Sequence, residues 1–462
     1  MNETDFLSLN LHHALLDNLS TLDYQSMTPI QAQSLPHIIA NRDVIAQAKT
    51  GSGKTAAFGL GLLQKLDVTR FRVQALVLCP TRELADQVAK EIRKLGRGIH
   101  NIKVLTLCGG TPFGPQAGSL EHGAHIIVGT PGRIEDHLRK GTLKLADLTT
   151  LVLDEADRML DMGFQESLDN IIDAIPSQRQ TLLFSATFPE KIQTIAQRVM
   201  ADPITVKVES THSSDSVKQR FFKIEGKVSR LDALRLLLLE YQPESVVVFC
   251  NTKQETQEVA NELRRYHFGA LPLHGDLEQK DRDQTLIRFA NKSASVLVAT
   301  DVAARGLDIE SLDMVINYHL PRDIEVHTHR IGRTGRAGKN GIACTLYTDK
   351  ELHKLEKLEE YLQQTIDNSP LPSERLLNEP AYKPAMATLQ IDGGKKQKVR
   401  AGDILGALTG NSGIDGKHVG KIQITDNKAY VAVDRTSAKA ALKKLNEGKL
   451  KGKNFKVRLL AT

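Results

Sequence analysis

DVIAQAKTGSGKT, residues Asp43 to Thr55, decides the fold. A short apolar run enters a loop with two glycines, and the helical pattern AAFGLGLL follows at once. Such a strand, glycine turn and helix turn backbone N–H groups toward phosphate oxygens at a helix N-terminus. Lys54 adds a charge for the β and γ phosphates, and the Thr55 hydroxyl suits Mg²⁺. The spacing departs from GxxxxGK[ST] in one place, Ala48, which stands where the first glycine belongs. The phosphate-loop candidates are therefore Ala48, Lys49, Thr50, Gly51, Ser52, Gly53, Lys54 and Thr55.

Outward from this loop, apolar runs alternate with amphipathic stretches as far as Val208: QALVLCP, VLTLCGG, HIIVGTP, LVLDEAD and QTLLFSAT. Strands apolar throughout and separated by helices predict a parallel sheet covered on both faces. LVLDEAD places Asp154 and Glu155 at the carboxyl end of such a strand, where an acidic pair beside the phosphate loop would hold Mg²⁺ and orient the attacking water. ESTHSSDSV (209–217) is polar and aperiodic, a predicted linker. A second α/β series, VVVFCNT, ALPLHG, SVLVATD, DMVINYH and GIACTLYT, occupies 218–369. The four prolines of SPLPSERLLNEPAYKPAM break both periodicities and predict another linker over 370–386. From 387 to 462 the pattern reads βαββαβ, the order of a small ferredoxin-like or RRM-like domain.

Composition is that of an ordinary globular chain, 40% hydrophobic and 25% charged. No apolar stretch approaches the roughly 18 residues a membrane span needs. The first residues lack the order of a signal peptide, so a cytoplasmic location is expected. Net charge is +6, unevenly spread: residues 387–462 hold 16 Lys and Arg against 6 Asp and Glu, or +10, and the remainder holds 45 against 49, or −4. A basic module on a near-neutral body points to a polyanion docked by that module. Nothing in the pattern indicates a stable oligomer or a protein partner, and a monomer is expected.

Several motifs recur in a fixed order: PTRELA (Pro80–Ala85), TPGR (Thr130–Arg133), DEAD (Asp154–Asp157), SAT (Ser185–Thr187), ATDVAARGLDI (Ala299–Ile309) and HRIGRTGR (His329–Arg336). The set resembles that of the DEAD-box RNA helicases, over roughly residues 3 to 370. The resemblance implies two RecA-like domains, with ATP and Mg²⁺ bound and RNA as partner. TPIQ matches the adenine-reading Q motif of about residues 4–32, with Gln31 on the adenine edge, Tyr24 near the ring and Phe6 upstream, although Asp23 stands where the family usually has glycine. It further implies Asp154 and Thr55 on Mg²⁺, Glu155 as general base, Arg333 and Arg336 as arginine fingers and Asp301 near the ribose. Coupling of the two ligands falls to Ser185, Thr187, Asp157 and His329. Backbone contacts to one RNA strand fall to Pro80, Thr81, Arg82, Gly109, Gly110, Thr130, Arg133, Gln279, Arg282 and Thr300.

Backbone contacts fix position without reading sequence, so target choice is expected from the tail. An RRM stacks bases on aromatics of its central strands, and here DNKAYVAV leaves only Tyr430, with Lys428 and Val433 in the other aromatic positions. Stacking is expected to be weak, and Lys395, Lys396, Lys398, Arg400 and Lys428 become the candidate RNA contacts beside Tyr430. This core with such a tail resembles family members that act on 23S ribosomal RNA in 50S assembly. Two rivals differ in class: a general remodeller of mRNA, and a non-catalytic ATP-dependent RNA clamp, against which intact Lys54, Glu155, Arg333 and Arg336 argue.

Overall fold

The computed structural model describes residues 4–22, 24–48, 51–208, 217–304, 312–335, 341–410 and 413–460. The chain divides into two compact units, one on each side of the 209–216 stretch. The linker expected over 209–217 lies outside the described residues except for Val217, which already begins a strand. Among the described residues no helix is long and apolar enough to cross a membrane.

The first unit is built on seven strands: β1 (Val44–Gln47), β2 (Ala75–Leu78), β3 (Val104–Leu107), β4 (Ile126–Gly129), β5 (Thr150–Asp154), β6 (Gln180–Ser185) and β7 (Ile204–Lys207). They lie in the order β3-β4-β2-β5-β6-β1-β7, every pair parallel. Alternation across the pleat sends Ala75 and Val77 into one apolar layer and Leu76 and Leu78 into the other. Phe58, Val88 and Ile92 cover the first layer, and Ile134, Met159 and Ile171 cover the second. Burial on both faces explains why β2, β4 and β5 read as unbroken apolar runs. Because all seven strands are parallel, their carboxyl ends share one edge, where ligands of open α/β sheets are held.

The second unit carries two sheets. Strands β8 (Val217–Lys223), β9 (Val246–Cys250), β10 (Ala270–Leu273), β11 (Val296–Thr300), β12 (Met314–Asn317) and β13 (Gly341–Tyr347) form an all-parallel sheet in the order β10-β11-β9-β12-β13-β8. Strands β14 (Met386–Ile391), β15 (Val419–Ile424), β16 (Ala429–Asp434) and β17 (Val457–Leu459) form an antiparallel sheet in the order β15-β16-β14-β17. Helices Ala401–Thr409 and Ala438–Glu447 pack on one face of it, closing a core of Leu389, Ile391, Val431, Val433, Ile404, Leu408 and Leu445.

Two expectations need correction. The proline-rich stretch after 369 is no free linker: Leu371, Leu376, Ala381 and Tyr382 pack on the core of the parallel sheet, and the Tyr382 ring meets Phe268 edge-on with centroids 6.0 Å apart. Prolines remove periodicity, but single apolar side chains still find a surface to cover. The second correction concerns the other face of the antiparallel sheet, where Thr388, Gln390, Tyr430 and Ala432 are all buried. The loop after the helix Gln279–Ala290 covers that face through Ser293 Oγ at 2.7 Å and Asn291 Nδ2 at 3.2 Å from Thr388 Oγ1. Gln284 Nε2 donates to Gln390 Oε1 at 3.2 Å. Tyr430, only 6% exposed, is therefore closed to a stacked base.

Candidate nucleotide and RNA site

The phosphate loop leaves β1 and enters the helix Lys54–Gln64, with Thr55 in its first turn. Gly51 and Gly53 have φ of 84° and 93°, a region closed to most side chains. At Gly53 a second reason applies, since a Cβ there would lie 2.5 Å from Gln31 Nε2. Gln31 donates from Nε2 to the Gly53 carbonyl at 3.1 Å and accepts the Thr28 N–H at 2.9 Å. It thus struts the turn at Thr28 against the phosphate loop, keeping one N–H and one lone pair for a further partner. Tyr24, Gln25, Ser26, Thr28 and Gln31 line a cavity of about 390 Å³. Tyr24 is oriented by its hydroxyl, which donates to Glu91 Oε1 at 2.7 Å, and by the edge of Phe6, with ring centroids 6.1 Å apart. Lys49, Thr50, Asp23 and Arg336 lie outside the described residues.

Lys54 is buried and its Nζ donates to the Ala48 carbonyl at 2.7 Å. The Ala48 N–H in turn donates to the carbonyl of Ser185 at the end of β6, tying the loop to SAT. Beside it, β5 ends on Asp154, and Glu155 takes a left-handed conformation at φ 52° and ψ 50°. Burial pushes the Asp154 carboxyl up to about 7, with Lys54 opposing and the Glu155 charge adding. Asp157 behaves oppositely: burial raises it, but the hydrogen bonds from Thr187 and the charge of Arg158 together hold it low. Its Oδ2 accepts from the Thr187 hydroxyl at 2.8 Å and N–H at 3.1 Å, and Ser185 Oγ donates to the Thr187 carbonyl at 2.6 Å. DEAD and SAT are therefore one hydrogen-bonded unit.

Asp154 Oδ1, Glu155 Oε2 and Ser52 Oγ are buried without a hydrogen-bond partner. Buried oxygens of this kind call for a cation or an ordered donor. Oxygen donors of this kind, few in number and beside a phosphate loop, suit Mg²⁺, which keeps several waters and takes one or two protein ligands beside phosphate.

Three further loops on this edge interlock. Pro80, Thr81 and Arg82 follow β2, with Thr81 Oγ1 accepting the Leu84 N–H to cap the helix Arg82–Leu95. Arg82 lies against Gly110, where φ is 68° and a Cβ would stand 2.0 Å from the guanidinium. Arg133, after Thr130 and β4, donates from Nη1 to the Thr111 carbonyl at 3.0 Å. Arg82 beside Gly110 and Arg133 bonded to Thr111 thus tie these loops together, while Pro80, Thr81 and Thr130 are buried.

In the second unit, Thr300 ends β11, and Arg282 Nη2 donates to the Ala303 carbonyl at 2.9 Å. Gln279, one turn earlier on that helix, donates to Asp283 at 2.6 Å. Asp301 is gripped by Arg330, whose Nε and Nη2 lie 2.6 and 2.8 Å from its two oxygens. Arg330 also bonds Asn251, Asn317 and the His319 carbonyl and is fully buried. It lies in HRIGRTGR between His329, on the helix Ile324–Ile331, and the buried Arg333. Arg158 does not stand out in the sequence, and Arg330, though inside HRIGRTGR, carries no role there, because spacing marks an arginine without telling whether the fold will bury it.

In the tail, Lys395, Lys396, Lys398 and Arg400 are exposed. The N–H groups of Lys395 and Lys396 bond the carbonyls of Thr425 and Asp426, which sets this turn beside Lys428. Lys451 joins them, its Nζ donating to the Lys398 carbonyl at 3.0 Å.

Comparison with known proteins gives three family matches in order: DEAD/DEAH box helicase over residues 28–195, helicase conserved C-terminal domain over 226–338, and DbpA RNA binding domain over 388–459. The ATP-dependent RNA helicase DbpA of Escherichia coli is 55% identical over 458 residues, covering 99% of this chain and 100% of the relative. The DEAD-box ATP-dependent RNA helicase CshA of Bacillus cereus is 43% identical over 371 residues, 80% of this chain and 70% of its own. Among solved structures, Saccharomyces cerevisiae Dbp5 bound to RNA and ADP BeF3 matches with a TM-score of 0.73 at 30% identity, covering 82% of this chain and 100% of that one.

Proposed function

The chain belongs to the DEAD-box ATP-dependent RNA helicases, and on that premise we propose that it opens short RNA duplexes locally, directed by its tail to 23S ribosomal RNA during 50S assembly. The observation that carries the catalytic part is the buried turn Asp154–Asp157, with two carboxylate oxygens that accept no hydrogen bond beside the phosphate loop. In this reading the cavity at Tyr24 and Gln31 takes adenine, and the backbone of Gly51 to Gly53 and the Lys54 ammonium receive the phosphates. Asp154, with Thr55, holds Mg²⁺, which supplies charge neutralisation at the phosphates. Glu155 orients the attacking water and accepts its proton. Arg333 and Arg336 bring positive charge to the transferred phosphoryl group, and Asp301 serves the ribose.

RNA meets the first unit at Arg82, Gly110 and Arg133, and the second at Gln279, Arg282 and Thr300. The Asp157–Thr187 link runs from the acidic turn to SAT, so a change at the phosphates is felt in the strand end that also holds Ala48. By linkage, ATP and RNA strengthen each other's binding to the extent that both favour the same state of the chain. With the sheet face of the tail buried, ribosomal RNA docks on the basic turn Lys395–Arg400 with Lys428 and Lys451. The likeness to E. coli DbpA over the whole chain, tail included, supports that target. Glu155→Gln tests the mechanism: RNA-stimulated hydrolysis is lost while ATP still binds, and normal turnover in that variant overturns it.

A further inference from the structure

Three carboxylates, Asp154, Glu155 and Asp157, sit in one buried turn, and two cations stand close by. Lys54 is committed to the Ala48 carbonyl and faces Asp154. That leaves Arg158 for the other two. Its side chain is 4% exposed, its Nη1 lies 3.4 Å from Glu155 Oε2 at 5% exposed, and its N–H bonds Asp157 Oδ1 at 3.1 Å.

We infer that Arg158 is a positioning residue for ATP hydrolysis: its guanidinium holds the Glu155 carboxylate in place and keeps it in step with the Asp157–Thr187 link. A carboxylate buried among other carboxylates stays put only with a counter-charge. Glu155 also has a left-handed backbone, so no neighbouring helical turn fixes its side chain. At 3.4 Å the pair is in contact but not locked: neither Nη1 nor Oε2 makes a hydrogen bond, so the oxygen retains a lone pair for water. The i to i+3 spacing on the short helix Ala156–Asp161 sets this reach, which a lysine ammonium can approximate and a methionine cannot.

The inference rests on Glu155 acting on the attacking water. Arg158→Met in the full chain is expected to lower RNA-stimulated kcat by about tenfold or more, with KM for ATP changed less than about threefold. Arg158→Lys should recover part of the loss. A role confined to folding would instead weaken ligand binding, so ATP-dependent RNA affinity is measured in a Glu155→Gln background with and without Arg158→Met; it should be equal in both. Unchanged kcat in Arg158→Met beside an inactive Glu155→Gln overturns the inference alone. Full turnover in Glu155→Gln overturns the underlying mechanism. A fall in RNA affinity in the double variant also overturns the inference, assigning Arg158 to the fold.

Discussion

At the scale of single residues, the site is set by a few side chains that buried neighbours hold in one place. Gly110 is the sharpest case on the RNA side. Gly110→Ala forces a Cβ into Arg82 and a residue with a side chain into φ 68°, which costs about 1 to 2 kcal/mol in backbone strain alone. Arg82 must move, so RNA affinity should fall several-fold while ATP binding without RNA is kept, as equilibrium titrations with each ligand will read. Arg330 plays a structural part. Arg330→Met removes the charge partner of Asp301 and the bonds to Asn251, Asn317 and the His319 carbonyl, and breaking a buried pair costs about 3 kcal/mol or more. Denaturant unfolding of the variant should show that loss. Residues of these two kinds differ in how plainly sequence displays them. Gly110 and Lys54 announce themselves because a turn or a phosphate demands that residue type. Arg330 and Arg158 look like any helix-surface arginine until the fold buries them.

At the scale of elements, the strands of both parallel sheets are legible in the sequence because burial on two faces leaves unbroken apolar runs. The antiparallel sheet of the tail is legible in its βαββαβ order for the converse reason, alternation over one packed face. What lies on its second face is not. Thr388 and Gln390 read as polar positions facing solvent, and their partners Asn291, Ser293 and Gln284, about a hundred residues earlier, make them interior. Thr388→Val keeps the shape and leaves the buried Asn291 amide N–H without its acceptor, while Ser293 keeps its bond to the Arg288 carbonyl, at about 1 to 3 kcal/mol. Faster amide hydrogen exchange in β14 would register it. Another element-scale device is the cluster at the end of β12, where His319 lies 2.6 Å from Glu255 and 3.3 Å from Glu351, and Arg230 Nη2 lies 2.5 Å from Glu351. Burial raises the Glu351 carboxyl, but His319 and Arg230 outweigh it and bring it down to about 2. A depressed carboxyl stabilises the fold above its unfolded pKa near 4.3, and the contribution fades as pH falls toward 2. His319 acts in the reverse sense: burial lowers it, its two glutamates win, and its contribution is full below about 6.5 and is lost as pH rises through its raised value. Thermal unfolding followed from pH 5 to 2 should drop more steeply for the native chain than for Glu351→Gln.

At the scale of the whole molecule, a core proposed to grip RNA backbone is joined to a basic tail whose sheet face is already spent on the body of the second unit. On the proposed function, the turn Lys395–Arg400, with Lys428 and Lys451, is the surface left to choose the RNA, and the choice would depend on charge and shape more than on stacking. The charge imbalance, +10 in residues 387–462 against −4 elsewhere, is the trace that this division of labour leaves in the amino-acid sequence. The measurement that bears most directly on it is the rate of ATP hydrolysis by the intact chain with tiled 23S ribosomal RNA fragments and with random RNA of equal length, repeated after replacing Lys395, Lys396, Lys398 and Arg400 by alanine. The account predicts that one fragment stimulates hydrolysis far above random RNA and that the four substitutions remove this advantage while leaving ATP binding intact. Equal stimulation by every RNA, or an advantage that survives the substitutions, would contradict it.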